Sequence, residues 1–177
     1  MRVAIQGTRG SFSEAAARKQ WPDLELLALR TVADVVEAVR DERADAGCLA
    51  FENSLVGLVE TTSDQLQEAF RDGVLHLSHE ILLPVHHGLL GVPGAKITDL
   101  ERVLSHPVAL AQCSTWLARH LPNIQLVSAW DTAGGAELVA NAGDRTQAAV
   151  GSRFAAELYG LAVLEDRIEN DPTNQTR

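Results

Sequence analysis

Short apolar runs of strand length alternate with longer segments of helical spacing along most of this chain, and that rhythm constrains its fold more than any other feature. Val3-Ala4-Ile5 reads as a strand, Gly7-Thr8-Arg9-Gly10-Ser11 as a turn, and residues 13–20 as a helix from a Ser cap with Glu14 in its first turn. The pattern returns with a strand over 24–29, a helix over 32–40, a short buried strand over 47–51 and a helix over 59–70. Such alternation predicts an α/β fold, with a parallel sheet covered by helices on both faces.

Between Leu75 and Val92 the rhythm changes to two consecutive extended runs, 75–82 and 85–92, hinged at Pro84, which reads as a crossover between lobes. Beyond it the spacing predicts a strand at 102–104, a helix over 107–120, a strand at 125–129, a helix over 133–141, a strand at 148–150 and a helix over 154–159. The apolar run 161–164 is expected to carry the chain back. The expectation is a two-lobed α/β protein with mixed sheets, residues 1–78 plus 164–177 forming the first lobe and 79–163 the second.

With 177 residues, 46% of them hydrophobic, the chain can bury a sizeable core. Its net charge of -9 argues against nucleic acid or an anionic membrane surface as partner, so an anionic ligand would have to be caught locally. Cys48 and Cys113 are far apart and lack CxxC spacing, which suggests two reduced thiols rather than a zinc site or a disulfide. The first residues carry no long apolar leader and no apolar stretch reaches membrane length, so a cytoplasmic protein is expected.

Four strand ends carry similar punctuation: Gly7-Thr8-Arg9-Gly10-Ser11, Glu52-Asn53-Ser54, Ser105-His106-Pro107 and Asp131-Thr132-Ala133-Gly134. In open α/β sheets ligands bind beyond the carboxyl ends of strands, so the four turns are expected to converge on one cleft whose helix starts hold carboxylates. Taken singly, each turn is explained as well by ordinary capping; the recurrence points to a site. The glycines do not form a dinucleotide fingerprint, and there is no phosphate loop. His76 and His79 point to opposite faces of an extended run, as do His86 and His87, which argues against a metal site. Gln112, flanked by Leu110, Ala111 and Cys113, needs a partner for its amide, either a ligand or a backbone carbonyl.

Seven stretches in order resemble the prephenate dehydratase family: Gly7 to Ser13, Phe51-Glu52-Asn53-Ser54, Glu80 with Pro84 and His87, Ser105-His106-Pro107 through Gln112-Cys113, Asp131 to Gly134, Ala156 to Leu161, and Asn174-Gln175-Thr176-Arg177. The resemblance implies a fold like that of type II periplasmic binding proteins. It also implies conversion of prephenate to phenylpyruvate in phenylalanine biosynthesis, with no metal or organic cofactor, in a protein that forms dimers or larger assemblies. Thr176 would match the proposed proton donor to the departing hydroxyl. Asn53, Ser105 and Gln112 would surround the substrate, Thr132, Ala133 and Gly134 would form a further binding turn, and Arg177 would either pair with a carboxylate or brace the cleft. Arogenate as substrate, or a domain that only binds a dicarboxylate, are the rival implications. Phe51 stands where the family usually has Ile. The sequence also stops at Arg177, short of the family's next Phe and of any ACT regulatory domain, so Thr176 is expected on a fraying segment.

Overall fold

The computed structural model describes residues 1–71 and 73–177. They form two compact units, one of Met1–Thr8, Phe12–Pro84 and Thr173–Arg177, the other of Arg9–Ser11 and Val85–Pro172.

The first unit begins with β1 (Arg2–Gln6), α1 (Phe12–Gln20), β2 (Glu25–Leu29), α2 (Val32–Arg40) and β3 (Ala46–Cys48). The strands make a parallel sheet in the order β2-β1-β3. Because side chains alternate along β1, Val3 and Ile5 pack with Ala17 of α1 on one face, and Ala4 packs with Val35 and Ala38 of α2 on the other. A reciprocal cap fixes the start of α2: Asp34 N donates to the Thr31 hydroxyl oxygen at 3.1 Å, and Thr31 N donates to the Asp34 carboxylate at 3.0 Å. After β3 come β4 (Glu52–Asn53), β5 (Gly57–Leu58), α3 (Glu60–Phe70) and β6 (Leu83–Pro84).

The expected strand over 75–82 is absent. Residues 76–80 are exposed, Leu77 among them, and pair with no neighbouring strand among the described residues.

The second unit contains β7 (Gly88–Gly91), β8 (Arg102–Ser105), α4 (Pro107–Gln112), α5 (Ser114–His120), β9 (Gln125–Ser128), α6 (Thr132–Ala142), β10 (Gln147–Gly151), α7 (Arg153–Tyr159) and β11 (Ala162–Glu165). Its mixed sheet runs β11-β7-β10-β8-β9, with β7 antiparallel to both neighbours. Leu89, Val103, Ala148 and Val150 face Leu110 and Leu117 of α4 and α5; Leu90, Leu104 and Ala149 face Ala136, Val139 and Ala155 of α6 and α7. Each fully buried Leu or Val here contributes about 1.5–3 kcal/mol.

Two expectations in this unit are corrected. The strand after Pro84 is shorter than 85–92 because the His87 backbone is taken elsewhere: its N–H donates to the Glu169 carboxylate at 3.0 Å and its carbonyl accepts from Ile168 N at 2.8 Å. The helix over 107–120 is interrupted at Cys113, whose φ of -110° and ψ of 7° leave the helical region. Asn170 fills the break, donating from Nδ2 to Ala111 O (3.1 Å) and Ser114 Oγ (3.2 Å) and accepting from Thr115 N (3.0 Å).

The chain re-enters the first unit at Thr173, later than the run at 161–164, because β11 pairs with β7. There β12 (Gln175–Thr176) lies in the interior of a second sheet ordered β5-β4-β12-β6, antiparallel to both neighbours. Arg177 N donates to Glu52 O at 2.8 Å and Phe51 N donates to Arg177 O at 2.7 Å. Thr176 is therefore held from both sides, and the expectation of a fraying segment is corrected.

Candidate functional site

In the first unit, β4 and β12 bring Asn53 to Thr176. Asn53 Oδ1 accepts from Leu55 N (3.0 Å) and Val56 N (3.1 Å), closing the turn into β5, and this fixes which end of the amide is oxygen. Its Nδ2 then faces β12 and donates to Thr176 Oγ1 at 2.9 Å and to Asn174 Oδ1 at 2.8 Å, with Gln175 O at 3.2 Å. Because the Thr176 oxygen accepts that bond, its own proton is left for another acceptor. An N–H directed at the oxygen also stabilises the alkoxide that remains once the proton leaves.

Arg177 follows. Its guanidinium pairs with the Glu52 carboxylate and reaches Glu80 Oε1 at 3.4 Å. The hydrogen bond to Glu52, then that to Glu80, raises the pKa of the guanidinium. Of the two alternatives left open for Arg177, bracing is the one this pairing fits.

In the second unit, Ser105 ends β8 with 0% exposure, and its hydroxyl donates to Val150 O at 2.7 Å in the neighbouring strand. The hydroxyl is turned into the sheet, so Ser105 supports the corner rather than offering a proton to an anion. Gln112 ends α4 half-buried, its Oε1 3.1 Å from His87 Nε2. His87 is 2% exposed. Burial lowers its pKa, against the opposing pull of Gln112 and Glu169, so the ring stays neutral at physiological pH. His86 Nδ1 lies 2.8 Å from Glu169 Oε1. Burial would push Glu169 upward, but its own backbone N–H, His86 and the His87 N–H outweigh that and hold the carboxyl below its usual range.

The turn Asp131 to Gly134 opens α6. The Asp131 carboxylate accepts from Gly134 N, and its carbonyl accepts from Gly135 N at 3.1 Å. Thr132 and Ala133 hold the first two positions, where N–H groups have no acceptor inside the helix. A Cβ on Gly135 would stand 3.1 Å from Leu104 O and 3.3 Å from Ser105 Cα, so this helix start lies directly against the end of β8. The remaining turn also packs in this unit: Tyr159 Oη donates to Arg9 O at 2.7 Å, and the Ser152 hydroxyl donates to Gly10 O at 3.4 Å.

Thus Asn53 meets Thr176, and Ser105 meets the start of α6. The sequence placed Asn174 and His87 in family-like stretches without giving either a role, and did not single out Glu169. Asn174 lies two residues before Thr176, the spacing that puts side chains on one face of a strand, which was the available signal. Glu169 sits in a polar stretch that reads as ordinary loop. Among the described residues, no group of three His, Cys, Asp or Glu side chains is placed to hold a metal, and no helix is long and apolar enough to cross a membrane.

A family model described as prephenate dehydratase matches residues 3–177. A curated relative, arogenate dehydratase/prephenate dehydratase 6, chloroplastic, from Arabidopsis thaliana, is 42% identical over all of this chain, which spans 42% of that protein's length. Among solved structures, a prephenate dehydratase from Arthrobacter aurescens in complex with L-Phe is 29% identical with a TM-score of 0.88, covering 99% of this chain and 59% of its own. GqqA, described as a novel type of quorum quenching acylase, is 38% identical with a TM-score of 0.86, covering 99% of this chain and 62% of its own.

Proposed function

Because this chain belongs to the prephenate dehydratase family, we propose that it converts prephenate to phenylpyruvate, with Thr176 as the proton donor. The carrying observation is the 2.9 Å bond from Asn53 Nδ2 to Thr176 Oγ1, which makes the hydroxyl an acceptor towards the protein and a donor towards a ligand.

The reaction releases carbon dioxide from the ring carbon; the electron pair left behind enters the ring and expels the hydroxyl opposite, which leaves as water once protonated. Aromatisation drives it, so the protein's work is alignment, a proton at the departing oxygen and exclusion of bulk water. Threonine is too weak an acid to ionise near neutrality and acts as a positioned donor, its oxygen stabilised by Asn53 while it relays a proton. In the second unit, the N–H groups of Thr132 and Ala133 at the start of α6 and the amide nitrogen of Gln112 suit the substrate carboxylates. Gly134 keeps side-chain bulk away from that start, Ser105 steadies the adjoining strand end, and Arg177 braces β12 through Glu52 and Glu80.

Relatives carry both arogenate and prephenate dehydratase names, and side-by-side kcat/KM on the two substrates decides the preference. Neither thiol nor Ser105 suits a nucleophile's part: burial pushes the Cys48 thiol up to about 11 and Cys113 up to about 12, and the Ser105 hydroxyl is turned to Val150. Two unpaired thiols suit a reducing compartment, and the cytoplasm is the location proposed; that the chain forms a homo-oligomer is proposed on the family resemblance alone.

The test is formation of phenylpyruvate from prephenate. Thr176→Ala is expected to lower kcat by about 10²–10⁴-fold with an unchanged circular dichroism spectrum. Full activity in that variant removes Thr176 from the role.

A further inference from the structure

Asn174 is 1% exposed and lies just before β12. Its Oδ1 accepts from Asn53 Nδ2 at 2.8 Å, while its own Nδ2 is buried with no hydrogen-bond partner. An orphaned buried amide destabilises a fold, and an apolar side chain of similar size would avoid that cost. What Asn174 supplies in return is one acceptor at one place.

The orientation of each group in this cluster follows from the one before. Backbone N–H groups of Leu55 and Val56 hold Asn53 Oδ1, so Asn53 Nδ2 must face β12. With two hydrogens there, one goes to Thr176 Oγ1 and the other to Asn174 Oδ1. Turning Asn174 over would set two NH2 groups against each other, so its carbonyl is locked inward. Remove that acceptor and the second hydrogen of Asn53 is left with only the longer contact, 3.2 Å to Gln175 O. The amide then rotates towards that carbonyl, Thr176 loses its fixed donor, and the hydroxyl is free to spend its proton on a neighbouring backbone oxygen.

We propose that Asn174 is a positioning residue for the dehydration, locking the Asn53 amide so that the Thr176 hydroxyl directs its proton at the substrate. The proposal rests on the reading of Thr176 given above. It predicts a loss in kcat rather than in KM, because the bond it protects concerns proton delivery and not ligand binding.

The experiment compares Asn174→Leu, Asn174→Ala and Asn174→Asp in the full chain, with Thr176→Ala alongside, by steady-state kinetics on prephenate and thermal unfolding. The Leu and Ala variants remove the acceptor; the Asp variant keeps it and removes the orphaned donor. Expected are a drop in kcat of about tenfold or more in Leu and Ala with KM within about threefold, and recovery of most of that loss in Asp. Should the Leu variant not fold, the Ala and Asp pair carries the same comparison. Parental kcat in the folded Leu or Ala variant, or an Asp variant as impaired as they are, overturns the proposal. A fully active Thr176→Ala variant instead overturns the reading beneath it; an inactive one beside an active Asn174→Leu overturns only the positioning role.

Discussion

His87 Nε2 lies 3.1 Å from Gln112 Oε1, and since that oxygen can only accept, the imidazole carries its proton on Nε2 and the glutamine turns its NH2 group away from the histidine. On the proposed function, the pair thus offers a donor, not an acceptor, to a substrate carboxylate. Replacing His87 by Leu leaves Gln112 free to flip, and KM for prephenate is expected to rise about tenfold with kcat nearly unchanged, the cost of about one charge-assisted hydrogen bond. Steady-state kinetics check this; a fall in kcat at constant KM contradicts it.

Acid should destabilise the protein in two stages. His87 has a folded pKa below its ordinary 6.5, so as pH falls past that value the unfolded chain takes up a proton that the folded one refuses. Glu169 is also depressed, from an ordinary 4.5; its contribution is complete above that value and is lost as pH falls through the lower folded value. In both stages the unfolded state binds more protons, so stability falls with pH. Urea unfolding between about pH 7 and pH 3 should show a shallower decline below pH 4.5 in Glu169→Gln than in the parent.

Neither thiol should behave as a reactive cysteine. With Cys48 pushed up to about 11 and Cys113 up to about 12, almost no thiolate exists at pH 8. A disulfide reagent is expected to label two thiols rapidly in denaturant and neither at a comparable rate in the native protein. Rapid native labelling would show that these sites are open to solvent.

Gly10 adopts a φ of +84°, and a Cβ there would come within 3.1 Å of Tyr159 Cε2 and 3.2 Å of Leu158 Cδ2. Gly10→Ala therefore combines backbone strain with a clash against α7, and a loss of about 1–3 kcal/mol is expected. Thermal unfolding measures it. Gly143→Ala makes the control, since its φ is also positive at 62° but nothing lies within 4 Å of the added methyl. Gly10→Ala is expected to lose more than Gly143→Ala, because only the first meets α7.

Where period and burial coincide, the fold was readable. Val3 and Ile5 against Ala4 announce a strand sandwiched between two helices, and the same alternation marks Leu89 and Leu90 as opposite faces of β7. The break at Cys113 was not readable, because Leu110 to Leu117 keeps helical spacing across it and the side chain that fills it, Asn170, comes from the far side of the unit's sequence.

For the site, residue type narrowed the choice and distant partners decided it. Ser105 reads as an anion-binding hydroxyl until a carbonyl 45 residues later takes its proton. Asn53 and Thr176, separated by 123 positions, could be joined only through family resemblance, since no local pattern links them. The expected fraying of Thr176 failed for a related reason: chain position says nothing of pairing, and the strand that ends the sequence is flanked by β4 and β6.

That interior placement of β12 sets an order of events during synthesis. Strands β4 and β6 leave the ribosome early but stay unbridged until residues 175 and 176 emerge, by which time all of 85–172 has been made. Closing so long a loop is a slow, non-local step. The bond from Asn53 to Thr176 therefore cannot form until the whole of the second unit has been made, however early Asn53 itself emerges.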